Sequence, residues 1–297
     1  EGLWQSVFTS ISAFNNSGFE ILPNGLEGAR IAGASLIGLS SDIPTLLIIS
    51  VMILAGSTSY VVLANIVVIR GWHRLTLDTK LVLLGIGVML LVGFAAFMIL
   101  EWTNPDTIGD ENVRNKVTQG VFHTVNRTAG FSTLDYGKLN SANLSVTEGL
   151  MFVGGASAST AAGIKVSTFM VIVIASFAIF SGRERTTVFG REIPRVNVLR
   201  AMAVAATAAA AVLFLAVALF VVQPDLDFRT GLFEIVSAFG TVGWSAGATS
   251  NLNPAAQVVV AVTMFAGRFG PLTIALFMAG RERQDSVRFA TERIRIG

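Results

Sequence analysis

The sequence predicts an all-α integral membrane protein built from repeated helix–loop–helix units, and three observations support that prediction. Hydrophobic residues make up 53% of the 297 residues and charged residues only 13%, against roughly 25% charged residues in ordinary soluble domains. Long apolar runs follow one another along the chain, and about 20 such residues cross a bilayer. Short glycine-ended motifs recur between these runs at nearly constant spacing, which is typical of a repeat architecture.

The apolar runs define the predicted membrane-crossing helices. They are residues 43–69, 81–100, 166–181, 201–223 and 254–280. Two short stretches, 113–126 and 228–239, are too polar or too short to cross and are predicted to be half-helices. One unit then comprises a span over 81–101, a half-helix and a return over 145–181. The unit recurs as 196–223, 228–239 and 254–280, and residues 2–14 with 43–69 look like the last two-thirds of an earlier copy.

Three glycine motifs follow the short helices. They read SAFNNSGF, VNRTAGF and SAFGTVGW, and their glycines Gly18, Gly130 and Gly243 are 112 and 113 residues apart. Bare backbone at membrane depth is tolerated where it lines a cavity, and carbonyl groups there can replace the hydration shell of a cation. Glycine permits the φ values that such a turn requires, and the preceding half-helix directs its partial negative charge at the loop. The alternatives are tight extracellular turns and close helix packing.

The distribution of charge predicts the orientation of the chain. Basic residues cluster after three of the apolar runs: Arg70, Arg74 and Lys80; Arg183, Arg185, Arg191, Arg195 and Arg200; Arg281, Arg283, Arg288, Arg293 and Arg295. Acidic residues gather on the opposite side: Glu20, Glu27, Asp42, Asp106, Asp110, Glu111, Asp135, Asp225 and Asp227. By the positive-inside rule the basic loops are cytoplasmic, so the glycine motifs enter from the outer face. An acidic outer rim would concentrate cations, although it also fits ordinary solvated loops.

A run of small residues, GGASASTAAGIK over 154–165, lies in the middle of the predicted return span. Small and hydroxylated residues weaken the case for a regular helix there, but they are also typical of a helix-packing face. Lys165 follows the run, and Arg268 lies in the last apolar stretch. A charge at the bilayer centre costs about 2.5 kcal/mol or more, so these side chains should face a partner, unless Lys165 snorkels to the surface.

These motifs together resemble the Ktr/Trk/HKT superfamily of potassium transporters, above all its Ktr-type membrane subunit. The matching stretches are SAFNNSGF, NRTAGFST, GGASASTAAGIK, SAFGTVGWSAG and MFAGRFGPLT. The resemblance implies four helix–pore loop–helix units in pseudo-fourfold order around one pore. Residues 1–71 would be the end of the second unit, 72–182 the third, and 183–297 the fourth with a cytoplasmic tail. We therefore expect the native protein to be longer, with a further unit before Glu1.

The resemblance also assigns site residues. The selectivity filter would comprise Asn16, Ser17, Gly18, Thr128, Ala129, Gly130, Thr241, Val242 and Gly243. Only the last segment keeps the channel-like Thr-Val-Gly, so we expect looser discrimination between potassium and sodium. An intramembrane gate would comprise Gly155, Ala156, Ser157, Ala158, Ser159, Thr160, Ala161, Ala162 and Gly163, together with Lys165 and Arg268. The family usually has more glycine in this stretch, so Ala158 and Ala162 would reduce the flexibility of the loop.

The implied function is potassium uptake across a bacterial plasma membrane by a multi-pass protein that is not an enzyme. Potassium would be the substrate, sodium a possible coupling ion, and no covalent cofactor is expected. The chain has no cysteine and two histidines, which gives no metal-site pattern. The resemblance implies a homodimer on a cytosolic nucleotide-binding RCK ring, in contact with membrane lipid and without nucleic acid.

Two other functions remain open from the sequence. A sodium-preferring or weakly selective transporter of the same superfamily would carry the same motifs. An intramembrane hydrolase could use Ser159 as nucleophile and His123 as base, although no Gly-x-Ser-x-Gly motif is present. His123 and Asn126 are otherwise expected to bond neighbouring backbone and to hold the glycine motif in place.

Overall fold

The computed structural model describes residues 2–21, 36, 39–183 and 185–270. Over these residues the protein is almost entirely helical, with one short β-hairpin near the basic loop. The predicted continuation of the last span over 271–280, the basic tail and Glu27 lie outside the described residues.

Ten helices and two strands follow one another along the described chain. The helices are α1 (Gly2–Phe14), α2 (Ile43–Thr58), α3 (Tyr60–Ile69), α4 (Leu77–Glu101), α5 (Val113–Val125), α6 (Ser141–Phe152), α7 (Val166–Phe180), α8 (Arg195–Val222), α9 (Phe228–Gly240) and α10 (Pro254–Phe269). The antiparallel hairpin pairs β1 (Thr187–Val188) with β2 (Arg191–Glu192) between α7 and α8. The short predicted helices 2–14, 113–126 and 228–239 correspond to α1, α5 and α9.

Two described helices are long and apolar enough to cross a membrane. They are α4 with 25 residues and α8 with 28 residues. Both present large apolar side chains at the surface, including Ile99 and Phe214, as expected where lipid rather than water covers a helix. The shorter apolar helices α7 and α10 pack beside them: α7 contacts both, and α10 contacts α8.

The predicted crossing over 43–69 is bent rather than straight. Helices α2 and α3 meet at 94° at Ser59, whose φ of 77° is left-handed. Small and hydroxylated residues precede the bend, and the hydroxyls of Ser57 and Thr58 both donate to the carbonyl of Leu54. Such side chains compete with the helix ladder for backbone partners. The bend leaves the last carbonyl groups of α2 without helical partners.

The predicted return over 145–181 is interrupted. Helix α6 ends at Phe152 and α7 begins at Val166, so the residues between them form a non-helical segment, here called the small-residue loop (residues 153–165). The loop is pinched at its base, where the amide of Gly154 donates to the carbonyl of Ile164 at 2.8 Å and the amide of Ile164 donates to the carbonyl of Phe152 at 3.1 Å. The alternative of a continuous helix-packing face is therefore wrong.

The short helices α1, α5 and α9 direct their C-termini at the three glycine motifs. Helix α1 packs on α2, α5 on α4, and α9 on α6, α8 and α10. Large side chains are fully buried around α5 and α9, among them Phe97, Phe122, Phe233 and Trp244. Burial of an aromatic side chain contributes about 2 kcal/mol or more, so this packing fixes where each short helix ends.

Candidate ion pathway

The three glycine motifs form three turns that we call the glycine segments: residues 16–18, 128–130 and 241–243. Their glycines have φ values of 70°, 81° and 97°, all in the region that L side chains rarely adopt. In the first and third segments the residue two before the glycine is also left-handed, with φ of 51° at Asn16 and 49° at Thr241. A β-branched residue in this conformation is a genuine outlier, and such strain clusters at functional sites.

The first and third glycine segments share the same backbone hydrogen bonds. The amide of Ser17 donates to the carbonyl of Ser12 at 3.0 Å. In the same way, the amide of Val242 donates to the carbonyl of Ser237 at 2.9 Å. The second segment differs, because α5 continues into a 3-10 turn over Asn126–Thr128. This division follows the sequence, since Ser-Ala-Phe precedes the first and third segments but not the second.

The segments lie side by side in chain order, and each contact joins a glycine to a carbonyl oxygen. A Cβ added to Gly18 would lie 2.2 Å from the carbonyl oxygen of Ala129, and one added to Gly130 would lie 2.0 Å from that of Val242. Neither position admits a side chain. A Cβ added to Gly243 would meet no described atom within 4 Å. The row of contacts is therefore open beside Gly243.

Two side-chain hydrogen bonds fix the segments to one another. The hydroxyl of Thr128 donates to the side-chain oxygen of Asn16 at 2.9 Å. The indole nitrogen of Trp244, just after the third segment, donates to the carbonyl of Phe131, just after the second, at 2.9 Å. Both Asn16 and Trp244 are buried, so these bonds are protected from competition with water.

His123 is part of the packing that supports Trp244. Its ring stacks on the Trp244 ring at 5.2 Å between centroids, and its nitrogens pair with the Tyr136 hydroxyl at 2.9 Å and the Thr147 hydroxyl at 3.3 Å. The expectation of backbone partners is thus wrong for His123. It is confirmed for Asn126, whose side-chain nitrogen donates to the carbonyl of Phe122 at 2.8 Å.

Glu234 positions the chain that follows the third segment, and sequence reasoning missed it. This buried carboxylate on α9 accepts hydrogen bonds from the Thr249 amide at 3.2 Å and the Thr249 hydroxyl at 2.9 Å, and from the hydroxyl of Ser245. A charged acceptor with several donors holds a loop more firmly than neutral groups do. An acidic residue in an otherwise apolar half-helix was the available signal.

The small-residue loop docks against the bent end of α2 and against α10. The amide of Ala156 donates to the carbonyl of Ser57 at 2.9 Å, and the amide of Thr160 donates to the carbonyl of Gly56 at 3.3 Å. The guanidinium of Arg268, in the last turn of α10, donates to the carbonyl of Thr160 at 2.5 Å. The bend of α2 therefore supplies the free carbonyl groups that anchor the loop.

Lys165 and the loop alanines have defined places as well. The Lys165 ammonium donates to the carbonyl of Ala161 at 2.7 Å, so it folds back onto the loop instead of snorkelling. Ala158 adopts a left-handed φ of 61°, a conformation that glycine accepts at lower cost. Ala162 is buried, and its carbonyl oxygen would lie 1.6 Å from a Cβ at Gly154.

Arg127 connects the second glycine segment to the small-residue loop, and sequence reasoning missed this residue too. Its buried guanidinium donates to the carbonyls of Leu150 at 3.1 Å and Gly154 at 3.3 Å, and to that of Val153. It therefore satisfies carbonyl groups that the end of α6 leaves free. A lone cation inside Asn-Arg-Thr-Ala-Gly was the signal in the sequence.

Replacing Arg127 by Met is expected to destabilise the fold by roughly 2–4 kcal/mol, because several buried carbonyl groups lose their donor. Arg114→Met is the matched control, since Arg114 is exposed on α5, the helix that leads into the 3-10 turn of Arg127. Thermal unfolding of the purified protein in detergent measures the difference. Equal midpoints for the two variants would show that Arg127 contributes nothing beyond a solvated arginine.

A cavity of about 530 Å³ lies between the first and third glycine segments. Its lining includes Asn16, Ser17, Thr241 and Val242, and it extends to Arg268. The cavity occupies the open side of the row of segments, next to Gly243. Residues from two segments thus border a space large enough to hold several water molecules.

The acidic residues that the sequence predicts on the outer side are only partly available as a charged rim. Asp106, Glu111 and Asp135 share a cavity of about 240 Å³ with Lys138, which offsets part of their charge. Burial raises the pKa of Glu20, two residues after the first segment, to about 7. Near neutral pH this carboxyl is therefore partly protonated, and its negative charge grows as the pH rises above 7.

Left-handed glycine turns at the ends of half-helices, beside apolar helices long enough to cross a membrane, are the features of an α-helical membrane protein. The chain belongs to the TrkH family of cation transport proteins, whose family model matches residues 1–288. It is 35% identical to the Ktr system potassium uptake protein B of Bacillus subtilis over 289 residues, covering 97% of this chain and 62% of that protein.

Other relatives support the same family and fold. The potassium/sodium uptake protein NtpJ of Enterococcus hirae is 30% identical over 304 residues, covering 100% of this chain and 65% of that protein. The crystal structure of the potassium transporter TrkH from Vibrio parahaemolyticus matches with a TM-score of 0.72 at 17% identity, over 93% of this chain and 58% of that one. The chain thus spans less than two thirds of each of these relatives.

Proposed function

We propose that this chain is the ion-translocating part of a bacterial potassium uptake protein and that the three glycine segments are its selectivity filter. One observation carries the proposal: Gly18 and Gly130 each abut a carbonyl oxygen of the next segment at a distance that excludes any side chain. Packing devices alone would not require three such turns, at nearly equal spacing, at the ends of three half-helices. The family membership and the Ktr relative support potassium as the cargo.

We further propose that four such segments surround one pore in pseudo-fourfold order. The row of contacts runs from Gly18 through Gly130 to the third segment and is open beside Gly243. A fourth segment placed in that opening would supply the missing carbonyl neighbour and would close the ring. In this arrangement residues 1–71, 72–182 and 183–297 belong to the second, third and fourth units.

The small-residue loop and Arg268 are proposed to be the closed gate. The contact between the Arg268 guanidinium and the Thr160 carbonyl joins α10 to residues 155–163 below the filter. A fixed positive charge beside the pathway would also repel a permeating cation. Lys165 would help to hold the loop in shape through the Ala161 carbonyl.

A weakly selective or sodium-accepting transporter is the second candidate. The first and second glycine segments lack the Thr-Val-Gly sequence of the third, and the Enterococcus relative is named a potassium/sodium uptake protein. Competition of sodium against rubidium uptake separates the two candidates. Weak inhibition by a large excess of sodium supports potassium, and equal competition supports the second candidate.

The hydrolase alternative has no support in the site. Both ring nitrogens of His123 pair with Tyr136 and Thr147, and neither pairs with Ser159. The relatives named above are transporters. As partners we propose membrane lipid, a second copy of the chain, and a cytosolic nucleotide-binding ring against the basic loops. The word "system" in the name of the Ktr relatives fits such an assembly.

Gly130→Ser in the full-length protein is expected to reduce rubidium-86 uptake at least about tenfold, because its Cβ would overlap the carbonyl oxygen of Val242 and distort the row of carbonyls. Uptake is measured in cells that lack their own potassium uptake systems. Gly87→Ser is the control, since Gly87 lies on α4 with no atom within 4 Å of an added Cβ. Undiminished uptake by Gly130→Ser, at matched membrane abundance, would refute the filter.

A further inference from the structure

Asn16 in the first glycine segment is bonded to two other parts of the proposed pathway at once. Its side-chain oxygen accepts from the hydroxyl of Thr128 in the second segment at 2.9 Å. Its side-chain nitrogen donates to the hydroxyl of Thr160 in the small-residue loop at 2.8 Å. The side chain of Asn16 is buried, with 4% of its surface exposed. The bond to Thr128 is fully buried and the bond to Thr160 is partly buried, so both are stronger than they would be at a surface.

Thr160 is held from both sides. Its hydroxyl also lies 3.2 Å from the carbonyl of Phe14 at the end of α1, to which it donates. Its own carbonyl accepts from Arg268 at 2.5 Å, and its amide donates to Gly56 at the bent end of α2. One loop residue therefore touches the gate arginine, the end of a half-helix and a residue of the filter.

The backbone conformation of Asn16 depends on its contact with Thr160 and its other partners. Its φ of 51° is left-handed, and a non-glycine residue keeps such a conformation only where its surroundings impose it. The partners from the other segment and from the loop are among the groups that impose it. When the loop leaves its docked position, Asn16 loses the Thr160 hydroxyl and keeps the Thr128 hydroxyl.

We propose that Asn16 and Thr160 couple the gate to the filter, so that the docked loop sharpens the discrimination between potassium and sodium and its release relaxes it. This inference rests on the proposed function. Asn16 acts here as a positioning residue through its side chain, in addition to the carbonyl that it contributes to the first segment. Thr160 sets ion preference although its side chain lies outside all three glycine segments.

The coupling predicts that a change in the loop alters selectivity. Thr160→Val removes the hydroxyl at nearly constant shape. In the full-length protein it is expected to lower the preference for potassium over sodium by roughly threefold to tenfold, because the hydroxyl no longer accepts from Asn16 or donates to the carbonyl of Phe14. The preference is measured as the ratio of sodium to potassium concentrations that halve rubidium-86 uptake. A gate that acts independently of the filter would change only the basal uptake and leave this ratio at the wild-type value.

Three further variants make the test specific. Thr160→Ser restores a hydroxyl and is expected to keep the wild-type ratio. Thr118→Val is the matched control, because Thr118 is half-buried on α5 and its hydroxyl bonds only within its own helix. Asn16→Ala is expected to lower the ratio by itself, and adding Thr160→Val to it should cost less than the product of the two single losses, because the two side chains share one bond.

The outcomes separate this inference from the proposed function. An unchanged ratio in Thr160→Val, or losses that multiply in the double variant, would overturn the coupling even if Gly130→Ser reduces uptake as expected. If Gly130→Ser leaves uptake intact, the proposal that the glycine segments form a filter is refuted, and the coupling proposal is refuted with it. Each variant is compared at equal membrane abundance, and Thr160→Ser verifies that substitution at this position is compatible with folding.

Discussion

Replacing Arg268 by Ala is expected to raise basal rubidium-86 uptake by roughly tenfold or more, because the small-residue loop loses its contact with α10 and the pathway loses a fixed positive charge. The guanidinium of Arg268 donates to the carbonyl of Thr160 at 2.5 Å. Among the described residues, this side-chain hydrogen bond is the one that joins α10 to the loop. The loop retains its backbone bonds to α2, so it is released on one side and is not unfolded.

The two contributions of Arg268 can be separated by a second substitution. Arg268→Lys keeps the positive charge, but the lysine side chain is shorter, and its ammonium lacks the planar set of donors of a guanidinium. If repulsion of cations dominates, the Lys variant should remain nearly closed. If the hydrogen bond to Thr160 dominates, the Lys variant should leak almost as much as the Ala variant.

A matched arginine outside the pathway is the control for this experiment. Arg195→Ala removes an exposed arginine at the start of α8 and is expected to leave basal uptake at the wild-type level. Uptake is measured with and without a regulatory partner, since a released gate should also respond less to regulation. If Arg268→Ala shows wild-type basal uptake and wild-type regulation, Arg268 is not part of the gate.

The local part of this architecture could be predicted from the sequence. The half-helices α1, α5 and α9 end within a residue or two of their predicted ends, because the polar turn that follows each one interrupts the apolar pattern. The interruption of the return helix was only partly predictable, since the ten consecutive small residues from Gly154 to Gly163 disfavour a regular helix but also suit a helix-packing face. These signals involve neighbouring residues, and no tertiary contact is needed to recognise them.

The contacts that make the segments into one site could not be predicted in this way. Trp244 and Phe131 are 113 residues apart, and Asn16 and Thr160 are 144 residues apart. The repeat places Phe131 and Trp244 at equivalent positions, but it does not show that they touch, because their proximity depends on how whole units pack together. The bend at Ser59 has a local signal in Gly-Ser-Thr-Ser, but its purpose, to offer free carbonyls to the loop, is visible only in the fold.

Arg127 shows why a residue inside a recognised motif can still be missed. The motif directed attention to Thr128, Ala129 and Gly130, which form the second glycine segment. The adjacent guanidinium of Arg127 reaches the end of α6. A buried arginine must have partners, so its presence was a signal, but the sequence could not say which carbonyl groups it would reach.

Gly243→Ala in the full-length protein is expected to reduce rubidium-86 uptake as strongly as Gly130→Ala does, by roughly a hundredfold, if a fourth segment presents a carbonyl oxygen beside it. Within the described residues no atom lies within 4 Å of a Cβ added at Gly243. A Cβ added at Gly18 or Gly130 would lie 2.2 Å or 2.0 Å from a carbonyl oxygen. The chain by itself therefore predicts that a methyl group at Gly243 has room and adds backbone strain but no steric overlap. A closed ring predicts the opposite.

Gly247→Ala separates steric overlap from backbone strain. Gly247 has φ of 95°, almost the same as the 97° of Gly243, and also has no atom within 4 Å of an added Cβ. Both alanine variants therefore carry a similar strain of about 1–2 kcal/mol. Gly247 lies outside the glycine segments, so its variant should retain uptake. If Gly243→Ala behaves like Gly247→Ala, no fourth carbonyl lies beside Gly243 and the ring of four segments is wrong; if it behaves like Gly130→Ala, the open side of this chain is where the pore is completed.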